Sequence, residues 1–157
     1  MANYAVKSIV PHLIVAGAAK ALEFYKAAFG AEIVSSMPTP DGERLIHAVM
    51  TIGGHALFLV DEFPDQGDGS VMRGPLTAKG TTVSIALNVE DADAFFDRAV
   101  KAGAAPHMPV ENTFWGARYG QLLDPYGHLW ELNQEVEQRS DEEMKAALAA
   151  DMAANGR

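Results

Sequence analysis

The sequence predicts an α+β fold built from two tandem strand–helix–three-strand modules, with curved sheets around a cleft and one extra helix at the C-terminal end. Three observations carry this. An amphipathic stretch with an aromatic pair and a Gly-Ala stop occurs twice, as Ala21-Leu22-Glu23-Phe24-Tyr25 to Phe29-Gly30-Ala31 and as Ala94-Phe95-Phe96-Asp97-Arg98 to Ala102-Gly103-Ala104. Each copy follows an apolar, strand-like run. Each also precedes a hairpin with Gly-His at its turn, Gly54-His55 and Gly127-His128. Self-similarity at this spacing marks a duplicated supersecondary unit.

The elements follow in order. Val6 to Val15 is apolar and β-branched and reads as a strand, with Pro11 marking an edge or a bulge. Ala18 to Phe29 carries apolar residues at helical spacing and stops at Gly30. Ala31 to Ser36 is a short strand. Pro38-Thr39-Pro40-Asp41-Gly42 is turn chemistry. Arg44 to Thr51 and His55 to Val60 form a hairpin around Ile52-Gly53-Gly54. Residues 61–80 break the pattern with glycines, prolines and charges, and read as a linker between modules at about 5–62 and 80–135.

Thr81 to Val89 is the next strand. Glu90-Asp91-Ala92-Asp93 opens a helix with acids where the macrodipole favours them, and Gly103 ends it. Ala105 to Val110 is extended. Residues 111–117 form an aromatic loop, and Phe114, Trp115 and Tyr119 are read as loop aromatics beside the cleft, able to stack on a flat ligand or to serve as packing. Arg118 to Leu123 and His128 to Leu132 form the last hairpin around Asp124-Pro125-Tyr126-Gly127. Ser140 and Glu143 form a capping box that starts a helix over about 140–154, ended by Gly156.

Composition narrows the function. At 157 residues the chain reads as one domain over 1–157, long enough to bury a substantial core. The formal net charge is -9 with no Lys/Arg cluster, which argues against nucleic acid. Cysteine is absent, so disulfides, thiolate catalysis and cysteine metal sites are excluded. No apolar run spans a bilayer and no leader peptide is evident, so the expectation is a cytoplasmic protein away from membranes. There is no G-x-x-x-x-G-K-[ST] loop, no G-x-S-x-G elbow, and Gly53-Gly54 and Gly67-Asp68-Gly69 lack the strand-then-helix setting of a dinucleotide site.

Leu22-Glu23-Phe24-Tyr25 followed by Phe29-Gly30-Ala31, together with Asp124-Pro125-Tyr126-Gly127-His128-Leu129-Trp130-Glu131-Leu132, resembles the vicinal oxygen chelate superfamily. That superfamily includes glyoxalase, bleomycin-resistance and extradiol dioxygenase proteins, and the resemblance covers residues 6–135. Phe114-Trp115-Gly116-Ala117-Arg118-Tyr119-Gly120 and Asp141-Glu142-Glu143-Met144 are similar to a subgroup named after a phosphonate-operon protein. The resemblance implies paired βαβββ modules around a concave pocket, usually in a homodimer. Metal-using relatives place ligands at four strand positions that fall here on Val10, Phe58, Ser84 and Glu131. Of these, Glu131 alone can be a strong ligand, and this departure argues against the superfamily's metal-dependent reactions.

If those positions mark the concave side, side-chain alternation places Val10 and His12 on it. His47 and Phe58 share a face in the first hairpin, and Arg118 is expected to share one with Glu131 in the last. His12 and His47 read either as displaced ligands or proton donors, or as ordinary polar strand residues. Glu131 reads as a general base, or as the partner of Arg118, which would itself bind an anionic group. Trp115 reads as a stacking platform, or as core or dimer packing. Phe24, Tyr25, Phe95 and Phe96 read as core. Trp130 alternates away from Glu131 and is expected beneath a helix. His55 and His128 read as solvated turn residues, and His107 carries no signal.

The leading expectation is metal-independent binding of a small flat or amphipathic organic molecule, in sequestration or resistance. Its cleft is lined by Val10, His12, His47, Phe58, Ser84, Trp115, Arg118 and Glu131, with no cofactor. The alternatives are a metal-dependent lyase, isomerase or dioxygenase with a divalent metal on Glu131, His12 and His47, and a metal-free acid–base enzyme using Glu131 and a histidine.

Overall fold

The computed structural model describes residues 4–65 and 72–155. The chain divides into two compact units, Met1–Gly80 and Thr81–Arg157. The expected α+β class, with two tandem strand–helix–three-strand units and a C-terminal helix, is the one the chain adopts.

The first unit runs β1 (His12–Val15), α1 (Ala18–Phe29), β2 (Glu32–Pro38), β3 (Leu45–Ile52), β4 (His55–Asp61) and the short helix α2 (Pro75–Ala78). Its sheet has the order β1-β4-β3-β2. The pair β1–β4 is parallel and the others are antiparallel. Helix α1 buries Ala21, Leu22, Tyr25, Ala28 and Phe29, the stripe that helical spacing predicts. It stops at Gly30, whose φ of 69° suits glycine, while Ala31 N–H closes back onto the Tyr25 carbonyl. The sheet face carrying Leu13, Val15, Ala48, Met50, Leu57 and Leu59 is buried with it. Gly53 and Gly54, at φ 56° and 81°, make the two-residue turn from β3 to β4.

The start of α1 has no side-chain cap of its own. Asp61, at the far end of β4, supplies one. Its Oδ1 accepts from Gly17 N at 2.7 Å and Ala18 N at 2.9 Å, and its Oδ2 accepts from Leu45 N at 2.6 Å. One buried carboxylate thus ties the helix start to the start of β3.

The second unit runs β5 (Ser84–Asn88), α3 (Ala92–Ala102), β6 (Ala105–Asn112), β7 (Ala117–Leu123), β8 (Leu129–Glu135) and α4 (Asp141–Asn155). Its sheet order, β5-β8-β7-β6, repeats the first topology, with β5–β8 parallel. Asp91 caps α3 by accepting from Ala94 N, and Gly103 ends the helix at φ 118°. Leu122, Trp130 and Leu132 are fully buried on one face of β7 and β8, and α3 packs on these strands. Trp130 therefore faces away from Glu131, as alternation requires. Ser140 and Glu143 form the expected capping box: Ser140 N donates to Glu143 Oε2 at 2.8 Å, and Glu143 N to Ser140 Oγ at 3.3 Å.

Asp124 organises the last hairpin. Its Oδ1 accepts from Tyr126 N and His128 N, and its Oδ2 accepts from the Trp130 indole at 2.9 Å. Asp124→Asn keeps the first two bonds but sets an amide N–H₂ against the buried indole N–H. A loss of about 2 kcal/mol is expected in urea unfolding, since an orphaned buried donor costs about 1–3 kcal/mol. A loss below about 0.5 kcal/mol would show that the indole bond is unimportant.

Three expectations change. The first strand begins at His12, not Val6, because Pro11 has no N–H to continue the ladder; the Pro11 carbonyl accepts from Phe58 N and pairing ends there. Tyr119 lies within β7, not in the aromatic loop, and β6 runs on to Asn112. The segment read as a linker contains α2, and Asp61 closes β4; residues 66–71, including Gly67-Asp68-Gly69, lie outside the described residues, as does Gly156. Among the described residues, no helix is long and apolar enough to cross a membrane.

Candidate functional site

In the second unit, β8 pairs Glu131 with Gln121 on β7 and with Ala86 on β5. Paired residues share a face, and alternation adds Ser84, Tyr119 and Asn133 to it. This is the face opposite Leu122, Trp130 and Leu132. On it, Ser84 Oγ donates to Glu131 Oε1 at 2.5 Å, and Gln121 Nε2 donates to the Tyr119 hydroxyl at 2.7 Å. The Glu131 carboxylate acts electrostatically on the Tyr119 hydroxyl. Burial, and then the Glu131 carboxylate beside it, raise the Tyr119 phenol above its ordinary value, against the Gln121 hydrogen bond. All four side chains are half-buried.

Trp115 extends this face. Its ring meets Tyr119 edge-on at 5.5 Å and Phe114 at 4.9 Å. Trp115, Asn133 and Glu135 line an open groove of about 350 Å³ together with Arg139 and Met144. Gly116 lets the loop approach residues 136–137: at φ 89° its carbonyl accepts from Val136 N and Glu137 N.

Arg118 is not on this face. Residues 124–128 form a five-residue connection, so odd-numbered residues of β7 pair with odd-numbered residues of β8, and Arg118 lies opposite Gln134. Its guanidinium grips Asp93 of α3 with two hydrogen bonds of 2.6 Å and reaches Asn112 Oδ1 at 3.0 Å. These bonds lower the Asp93 pKa and raise that of Arg118. The expected Arg118–Glu131 pair is therefore replaced by a strand-to-helix pair, and Arg118 leaves the set of residues around Glu131.

In the first unit, His12, His47 and Phe58 gather on the sheet face opposite the core. His12 pairs with Phe58 in the β1–β4 register, and His47 lies two residues before Val49, the other partner of Phe58. Ring centroids are 5.6 Å apart for the two histidines, 5.7 Å for His12–Phe58 and 4.9 Å for His47–Phe58. Val10 is half-buried and precedes the first strand.

Partial burial, and then the charge of His47, lower the His12 pKa below its ordinary value. The fold thus favours neutral His12. Its contribution to stability is full above the ordinary histidine value and is lost as pH falls through the lowered one. In an NMR titration, His12 is expected to have its midpoint below about 6.5, the unperturbed value. His47→Gln should move that midpoint upward; no movement would exclude coupling between the rings.

The resemblance implies a divalent metal in some relatives, and the residues here do not fit one. Val10 and Phe58 offer no donor atom. Phe58 packs its ring against both histidines, and the Ser84 hydroxyl is committed to Glu131. Among the described residues, no group of three or more His, Cys, Asp or Glu side chains is placed to hold a metal ion.

Gln121 and Asn133 were absent from the expected site set, and Tyr119 was expected only as an aromatic of the neighbouring loop. The signal for them lies in the parity of the last hairpin: once 123 pairs with 129, each follows by alternation from Glu131.

The family comparisons agree with this architecture. Residues 5–132 match the model of the Glyoxalase/Bleomycin resistance protein/Dioxygenase superfamily. An uncharacterized protein of Mycobacterium bovis, Mb0911c, is 42% identical over 143 residues, covering 91% of this chain and 93% of that protein. Protein PA1353 from Pseudomonas aeruginosa superposes with a TM-score of 0.63 at 28% identity, over 84% of this chain and all (100%) of that one. A PhnB protein from Bacillus cereus shares the fold with a TM-score of 0.62 at 23% identity, over 82% and 99% of the two chains. The chain belongs to the glyoxalase/bleomycin resistance protein/dioxygenase superfamily, the vicinal oxygen chelate proteins.

Proposed function

We propose that the protein binds a small flat or amphipathic organic molecule without a metal ion, and that it acts by holding that molecule, in sequestration or resistance. The observation that carries this reading is the pair of hydrogen bonds on one face, Ser84–Glu131 and Gln121–Tyr119, with the Trp115 ring packed on Tyr119. A few convergent polar groups beside an aromatic wall and a groove are what an organic ligand needs for orientation and contact area. The side chains at Val10, Phe58, Ser84 and Glu131 support the metal-free half of the reading. In the first unit, the His12–His47–Phe58 surface offers a second aromatic contact face. The protein is also read as a homodimer: β2 is an edge strand whose Val34 and Met37 are exposed.

The test is elemental analysis of dialysed protein, followed by a ligand screen read through tryptophan fluorescence. The expected result is no stoichiometric metal, together with ligands whose signal is lost in Trp115→Phe. About one metal per chain, with turnover of an α-keto or hemithioacetal substrate that Glu131→Ala abolishes, would overturn the reading. Light scattering at several concentrations tests the dimer.

A further inference from the structure

We propose that the ligand of the Glu131 face is an organic cation: a protonated amine carried on a flat, apolar frame. This rests on the reading that the face binds a small organic molecule, and it specifies the chemical class.

The first argument is the sign of the charge. The paired positions of β5–β8 on this face carry Glu111, Glu131 and Glu135, and none of them carries lysine, arginine or histidine. Arg118, the residue that an anionic ligand would have required, is on the opposite face and held by Asp93 and Asn112. Arg139, at the groove, is spent on Glu137 and on the Phe114 carbonyl. An anion entering here would meet carboxylates, and the cation at the groove, Arg139, is already paired with Glu137.

The second argument is independent of charge and concerns donors. The Ser84 hydroxyl gives its proton to Glu131, and Gln121 gives an amide proton to Tyr119. The Ser84 hydroxyl is thus used as a donor, and the Tyr119 oxygen as an acceptor. Toward a ligand, Glu131 and the Ser84 oxygen offer lone pairs. Those lone pairs are complemented by a ligand rich in N–H donors, and an ammonium has three.

The third argument is shape. The Trp115 ring stands next to Tyr119 at the rim of the groove, 37% exposed. Indole is the side chain best suited to lie against both a flat ring and a cation. An aromatic or polycyclic amine would use the indole for its frame and Glu131 for its nitrogen.

The experiment is calorimetric titration of the full chain, at neutral pH and low salt, with three matched probes: naphthylmethylammonium, naphthylmethanol and naphthoate. The ammonium is expected to bind about tenfold or more tightly than the alcohol, because a charge-assisted hydrogen bond is about twice as strong as a neutral one. Naphthoate should bind most weakly of the three. Glu131→Gln, checked for an unchanged melting temperature, should remove the ammonium's advantage over the alcohol. Raised ionic strength should weaken the ammonium alone. Should Glu131→Gln fold poorly, the wild-type ranking and its salt dependence still decide the matter. Naphthoate binding as tightly as the ammonium, or an ammonium preference that survives both Glu131→Gln and high salt, overturns the cation assignment and leaves the binding reading intact. Binding of none of the three overturns both.

Discussion

Asp61→Ala is expected to destabilise the first unit by about 3–4 kcal/mol, among the largest losses from any single substitution in this chain. The carboxylate is 4% exposed and accepts from three backbone donors, Gly17, Ala18 and Leu45. Alanine leaves the Ala18 and Leu45 N–H groups buried with no partner, at about 1–3 kcal/mol each. The part-buried Gly17 donor adds less, because water reaches it. The negative charge also sits at the positive end of the α1 macrodipole, so its loss removes a further favourable interaction. Asp61→Asn separates these effects. Its one carbonyl oxygen can still serve Gly17 and Ala18, while its amide opposes Leu45 N–H, so a loss of about 2 kcal/mol is expected. Urea unfolding of both variants decides it. A loss below about 1 kcal/mol for alanine would mean that α1 is capped by other means.

The same residue shows where sequence reading stops. The α1 stripe and the Gly30 stop are local, because apolar spacing and a positive φ are decided within one or two helical turns. The capping box of α4 is local for the same reason. Asp61 caps a helix that begins 43 residues earlier in the chain, and nothing near Ala18 or near Asp61 advertises it. The long-range tie exists because β1 and β4 are parallel neighbours, and that pairing is a property of the assembled sheet.

The site was legible in half-measures, and the reason is parity. His47 and Phe58 share a face across a two-glycine turn, where the register is fixed by the turn type. Ser84 and Glu131 were placed together and do touch. Arg118 was misplaced because a one-residue change in connection length moves every side chain of a strand to the other face. The five residues of 124–128 are held by Asp124 through Tyr126 N and His128 N. Asp-Pro-Tyr-Gly announces a turn, but its exact length depends on that carboxylate. With the parity corrected, Tyr119 and Gln121 take the place expected for Arg118, so the face carries a phenol and an amide where a guanidinium was expected.

Gly116→Ala is expected to cost about 3 kcal/mol and to displace Trp115. Gly116 sits at φ 89°, where an L residue pays about 1–2 kcal/mol. A Cβ there would also run into the Glu137 carbonyl oxygen, which is backbone and cannot swing away. Overpacking of this kind adds about 1–3 kcal/mol. The loop cannot simply retreat, because the Gly116 carbonyl holds both Val136 N and Glu137 N at 3.0 and 2.9 Å. Relief must therefore come from moving the 113–116 turn, and Trp115 moves with it. The expected result is a lower melting temperature together with altered tryptophan emission and weakened ligand binding. Gly80→Ala is the control, since nothing lies near a Cβ there and its φ is not in the left-handed region; its effect should stay within about 0.5 kcal/mol. If Gly116→Ala keeps both stability and Trp115 emission, the close approach of this loop to residues 136–137 is not what positions the indole. If stability falls while ligand binding to the folded fraction is unchanged, Trp115 packs the unit and does not serve the ligand. Loss of both is the outcome that makes a single glycine the hinge between fold and site.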